Sequence, residues 1–154
     1  MDEKFVYSIA IHEAGHAVAA LVFGLDIVES SIDIEADACF VEFKEFFPAI
    51  ETDERNRAFA VMCLSGFAAQ YFYDPRIDTS TQEHHIKDDI DSVLLCIQAT
   101  TQDATEQAVL RREWSYSARD LVAQHWEPIK RVANALYARK SLSASEITLI
   151  AGIN

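Results

Sequence analysis

The stretch EKFVYSIAIHEAGHAVAALVF, residues 3–23, is followed by Gly24 and decides how the rest of the chain is read. Val6, Ile9, Ala10, Ala14, Ala17, Val18 and Leu21 recur at helical spacing, which predicts a helix packed into a core. Gly24 predicts its end, because glycine readily takes the left-handed conformation of a helix C-terminus. On such a helix His12 and His16 are i,i+4 neighbours projecting from one face, close enough for both imidazoles to bind one zinc ion. Glu13 then lies beside the metal. A carboxylate there can take a proton from zinc-bound water, whose pKa falls to about 7 on coordination, and pass it to a leaving amine. Two histidines and a glutamate at core depth need partners, since each costs roughly 1–3 kcal/mol or more if left unpaired. A metal satisfies all three at once; histidines held by ordinary core hydrogen bonds are the plainer alternative.

Composition narrows the classes. Half of the 154 residues are hydrophobic, enough for one domain with a full core, so residues 1–154 are read as a single domain. A net charge of −12, from 13 basic against 25 acidic residues, opposes a nucleic-acid role and makes anionic membranes unfavourable partners. The longest uninterrupted apolar run, residues 17–23, is far below the ~20 residues that span a bilayer. The N-terminal Met-Asp-Glu-Lys lacks the basic and apolar regions of a signal peptide, so a cytoplasmic protein is expected. Cys39, Cys63 and Cys96 are widely spaced, which predicts buried thiols rather than a disulfide framework or a thiolate zinc site. The four glycines are isolated, so no phosphate-cradling loop, and hence no nucleotide site, is expected on this chain.

Beyond Gly24 the periodicity shortens. Ile27, Ile32 and Ile34, then residues 39–43, predict two or three short strands joined near residues 35–37, forming a small antiparallel sheet that Pro48 ends. The acidic residues 51–54 open a second helix reaching about Tyr73, with Ala58, Val61, Met62, Ser65, Ala69 and Phe72 along one side. Its centre, Ser65-Gly66 and Ala68-Ala69, is small enough for another helix to come close, which predicts packing against the motif helix. Asp74-Pro75 breaks it, and a polar loop follows to about His85. Ile86, Ile90, Val93, Leu94 and Ile97 then form an apolar helical stripe that includes Asp89, while Asp88 and Asp91 fall to the side. The remainder predicts a helical bundle with a bend at Pro128 and a last helix opened by the capping box Ser143-Ala144-Ser145-Glu146. Its aromatic and aliphatic residues, from Trp114 and Tyr116 to Trp126, Leu136 and Tyr137, are expected in the core. The longer zinc signature HExxHxxGxxH fails, with Ala19 in place of its glycine and no histidine at Val22. The third ligand is then Asp89, or the adjacent pair His84-His85, which are more simply read as solvated in the polar loop.

The chain resembles the peptidase domain of the FtsH family of zinc proteases in four segments that occur in order. Residues 12–17 are similar to the family's HEAGHA. Residues 64–70, LSGFAAQ, are similar to its small-residue helix, usually ending Ala-Ala-Glu. Asp88-Asp89-Ile90 resembles the Asn-Asp-Leu/Ile that opens the next helix and carries the third zinc ligand, and residues 132–147 resemble the closing Ala-x-Ala-Leu…Thr-Leu-x-x-x-Glu-Ile. The resemblance implies an α+β, mostly helical, zincin-like fold with a C-terminal helical bundle. It further implies Zn2+ on His12, His16 and Asp89, Glu13 as general base, and peptides or unfolded proteins as substrates. The ATPase module and membrane anchor usual in that family are absent from this sequence, and Gln70 stands where glutamate is usual, which bears on support of the site. A metal-binding regulatory domain without turnover is the alternative from a different class; an intact Glu13 argues against it, because a structural zinc site has no use for a general base.

Overall fold

The computed structural model describes residues 2–33, 38–43, 52–77 and 83–153. The elements run α1 (Glu3–Phe23), β1 (Ile27–Asp33), β2 (Ala38–Phe43), α2 (Asp53–Tyr73), α3 (Glu83–Thr100), α4 (Ala104–Gln124), α5 (Trp126–Arg139), β3 (Ser141–Ser143) and α6 (Ala144–Ala151). The chain is α+β and mostly helical, with one small antiparallel sheet among the described residues. The turn expected near residues 35–37, residues 44–51 with Pro48, and the loop at 78–82 lie outside them.

Asp2 caps α1 by accepting from the Lys4 amide, and Gly24, at φ 67°, ends it as its spacing predicts. Every residue from Ser8 to Ala20 is buried, so α1 is enclosed all round by α2, α5 and the sheet and is no one-sided surface helix. Among the described residues it is the one helix long and apolar enough to cross a membrane, and 72% of its most apolar window is buried inside the molecule. Enclosure by the rest of the chain accounts for that hydropathy.

The expected small-residue contact is present. Thr52 caps α2 by accepting from the Arg55 amide, and α2 crosses α1 so closely that a Cβ on Gly15 would lie 2.6 Å from the Ser65 carbonyl oxygen and 2.9 Å from the Ala69 Cβ. Even the single Cβ of an alanine at Gly15 would push the backbones apart.

The sheet differs from expectation in one strand. Its order is β2-β1-β3, so residues 25–47 supply two described strands and the third, Ser141–Ser143, comes from just before the last helix. Three residues carry too short a pattern to read as a strand; only pairing with β1 makes them one. A register shift between Ile27 and Glu29 inserts an extra residue in β1, so Ile27 and Ser30 are both buried although they are three residues apart.

The apolar stripe of α3 is rotated from the predicted one. Val93, Cys96 and Ile97 are buried, while Ile90 and Leu94 are exposed, because α3 packs chiefly on α2 and only slightly on α4. The bend of the C-terminal bundle falls at His125, between α4 and α5; Pro128 sits in the first turn of α5, where its missing N–H is not needed. Trp114, Leu121, Val122, Ile129, Val132, Ala133 and Leu136 form core as expected, but Tyr116 and Tyr137 are exposed. Ser143 and Glu146 make both bonds of the predicted capping box.

Candidate metal centre

Three helices converge on one point. α1 supplies His12 and His16 one turn apart, α3 supplies Asp89, and α2 closes the back at Gly66. His12 Nε2 and His16 Nε2 are 2.9 Å apart, and Asp89 Oδ2 lies 3.1 Å from the first and 3.2 Å from the second. These are the residues that spacing and resemblance select, and among the described residues they are the one group whose ligand atoms gather in this way. Glu13, buried like both histidines, lines the same cavity.

Hydrogen-bond direction shows what the three atoms present to one another. His16 Nδ1 lies 2.9 Å from the Met62 carbonyl oxygen, which only accepts, so that nitrogen carries the proton and donates. His12 Nδ1 lies 2.8 Å from Gln70 Oε1, another acceptor, and donates likewise. In the neutral tautomers so fixed, both Nε2 atoms turn lone pairs toward each other and toward a carboxylate oxygen. Three acceptors at contact distance repel unless a cation lies among them. Their separations approach the about 3.3 Å edge of a tetrahedron around zinc with bonds of about 2.0–2.1 Å. Without a metal a proton takes that role. Burial would hold His16 neutral, but the adjacent Asp89 carboxylate outweighs it and raises the imidazole above its ordinary value; in return, against its own burial, the charge on His16 holds Asp89 below the usual carboxylate range.

Gly66 has a second role that small-residue packing alone does not suggest. A Cβ there would stand 2.4 Å from His16 Nε2 and 2.8 Å from His12 Nε2, so that neither imidazole could keep its place. In front of the ligands opens a cavity of about 260 Å3 walled by Cys39 and Phe40 of β2 and by Phe59, Met62 and Cys63 of α2. All three cysteines are buried thiols. Burial first, then the Asp89 charge, pushes the Cys63 thiol well above its ordinary value, and burial pushes that of Cys96 up to about 11, so neither supplies a thiolate.

His84 and His85 fall in the first turn of α3, not in the polar loop where the sequence reading placed them; their side chains lie outside the described residues. Ser8, on the motif helix, and Met62, which offers its main-chain carbonyl, had no individual signal in the sequence, whereas Gly66 and Gln70 stood out there only as a small residue and as a departure from the resembled pattern. Gln70, the departure from the resembled pattern, makes the bond to His12 that a glutamate there could make. No protein-family model matches the sequence, and no curated protein matches it.

Proposed function

We propose that this protein is a zinc-dependent endopeptidase related to the FtsH peptidase domain, with a zincin-like arrangement of its motif helix. The observation that carries the reading is the convergence of His12 Nε2, His16 Nε2 and Asp89 Oδ2 beside the buried Glu13 at a cavity mouth. Two imidazoles and one carboxylate suit zinc, and three protein ligands with an open side suit a catalytic site better than a closed structural one. Bound there, zinc supplies a Lewis acid for the scissile carbonyl and lowers the pKa of a water. Glu13 would be placed to take a proton from an attacking water and to deliver it to the departing amine. Of the four resembling segments, residues 12–17 and 88–90 carry the same ligand set and the same base.

An extended substrate fits the sheet. β2 lies at one end of the order β2-β1-β3, and its Cys39 and Phe40 form a wall of the cavity. A peptide added along β2 brings its backbone past Glu13, with main-chain hydrogen bonds giving affinity and the cavity receiving a side chain. Unfolded segments are therefore the substrate class.

Glu13→Gln removes the base without touching a ligand. It should retain zinc at one per chain, measured by atomic absorption, and lose hydrolysis of an unstructured protein followed by gel or mass spectrometry. Turnover by the Glu13→Gln protein overturns the mechanism. Zinc binding by a wild type that cleaves no unstructured substrate replaces it with a regulatory metal-binding domain.

A further inference from the structure

We propose that Ser8 is a positioning residue for the metal centre, acting through Gln70 to decide which nitrogen of His12 faces the site. The inference rests on the metal-binding part of the reading above and is independent of hydrolysis. Ser8 is fully buried on α1, one turn before His12. Its hydroxyl donates its single proton to the Phe5 carbonyl oxygen at 2.7 Å, so toward any other neighbour it acts as an acceptor. Gln70 Nε2 lies 3.4 Å from that oxygen and donates to it. With the amide nitrogen directed to Ser8 as one of its partners, the amide oxygen is turned to His12 Nδ1 at 2.8 Å and accepts its proton. His12 is then the tautomer whose Nε2 lone pair points at His16 and Asp89. Proton direction thus runs from His12 to Gln70 to Ser8 to the main chain of α1.

The relay matters because glutamine has two unlike ends. Rotated by half a turn, Gln70 would present N–H to His12 Nδ1, favour the tautomer protonated on Nε2, and place a hydrogen where the metal binds. Ser8 rewards one orientation. A carboxylate at position 70 needs no such guide, since both of its oxygens accept. Ser8 therefore makes glutamine serviceable where the resembled pattern has glutamate.

The test is zinc affinity, by competition with a chromophoric chelator, for wild type, Ser8→Ala, Gln70→Leu, Gln70→Glu and the double variant Ser8→Ala with Gln70→Glu. Circular dichroism and thermal melts show that each is folded, and replacing a buried serine with alanine changes little volume. Gln70→Leu should lose about 10- to 100-fold in affinity, as expected when a partner of a metal-binding histidine is removed. Ser8→Ala should lose about 3- to 10-fold, the size of one net hydrogen bond. Gln70→Glu serves as its own reference, and adding Ser8→Ala to it should change affinity less than twofold from that of Gln70→Glu alone, because the carboxylate has no wrong end. A purely packing role for Ser8 gives the same loss with either residue at position 70, and that outcome overturns the proposal. So does an undiminished affinity in Ser8→Ala. A wild type that binds no zinc overturns this inference together with the metal reading, whereas zinc binding without peptidase activity overturns the reaction alone.

Discussion

Ser8 and Ser30 are equally inaccessible, yet one sits in a directed chain of hydrogen bonds and the other makes none among the described residues. Ser8 Oγ donates to the Phe5 carbonyl and accepts from Gln70, and through Gln70 it reaches His12. Ser30 Oγ, on the central strand β1, is buried without a hydrogen-bond partner among the described residues. Buried hydroxyls are unfavourable unless partnered, so satisfaction shows where polar atoms have been organised. What the organised chain ends in matters more. At the α1–α2 crossing it ends at the imidazole of His12, whose Nε2 lies 2.9 Å from His16 Nε2 and 3.1 Å from Asp89 Oδ2. Asp74 is the control: it too is buried and well partnered, but by Lys4 and Arg76, so its charge is neutralised within the chain and nothing further is needed.

Gly66→Ala is the largest expected break in this contrast. Its Cβ would stand 2.4 Å from His16 Nε2, and a helix backbone cannot move aside as a flexible side chain can. Zinc affinity should fall by about 100-fold or more, as both imidazoles lose their orientation. Gly15→Ala meets the Ser65 carbonyl instead, at 2.6 Å, and should lower stability by about 1–3 kcal/mol through overpacking. Metal titration and urea unfolding on the two variants separate the damaged site from the damaged core. If Gly66→Ala binds zinc as wild type does, the imidazoles do not depend on the room left at position 66.

Asp89→Ala comes next, with zinc affinity down by roughly 10-fold or more after loss of one of three protein ligands. The double change His84→Ala with His85→Ala should leave zinc content intact in dialysis against a weak chelator. Should the histidine pair strip the metal while Asp89→Ala keeps it, the three-helix convergence is not the binding site.

The control has its own pH signature. Hydrogen bonds from Arg76 first and Lys4 second hold the Asp74 carboxyl below the usual carboxylate range, against the opposing effect of burial. A carboxyl depressed in the folded state contributes stability that is fully present above its unfolded pKa of about 3.9, erodes as pH falls below that value, and is gone only once pH has passed the still lower folded-state value. Asp74→Asn should therefore be less stable than wild type at pH 6, and the gap should narrow below about pH 4. Urea midpoints across that range measure it, with zinc binding at pH 7 unaffected. A gap independent of pH would mean that the charge of Asp74 is not what stabilises.

Legibility from sequence followed the same division between local and long-range order. The motif helix, its Gly24 cap, the small-residue helix and the Ser143–Glu146 box are written in spacing and in single residue types, and each recurs in the structure. His12 and His16 were legible because i,i+4 neighbours share a face in any helix. Asp89 required the resemblance as well, because its stripe admits more than one rotation: Ile90 and Leu94, taken for core, face outward. The third strand and the Ser8–Gln70 link were not legible, since both depend on which distant segment lies alongside. Residues 141–143 become a strand only beside β1, and Ser8 gains its meaning from a glutamine 62 positions away.

Ser30→Ala should give the smallest effect and the opposite sign. Ser30 stands across from Leu142 of β3, which is fully buried, so the hydroxyl faces apolar surroundings. The register shift after Ile27 explains how it came there: without the extra residue, strict alternation would set Ser30 on the face opposite Ile27. An unpartnered buried hydroxyl loses its hydration and gains nothing in return, while alanine keeps the Cβ and removes only the oxygen. The variant should be more stable by about 1 kcal/mol, less whatever contacts the oxygen made. Urea midpoints read the change, and zinc affinity should stay as in wild type. Ser8→Ala, the same chemical change at the same burial, should lower zinc affinity instead. If Ser30→Ala destabilises, its hydroxyl has a partner, and the distinction between the two serines must rest on direction alone.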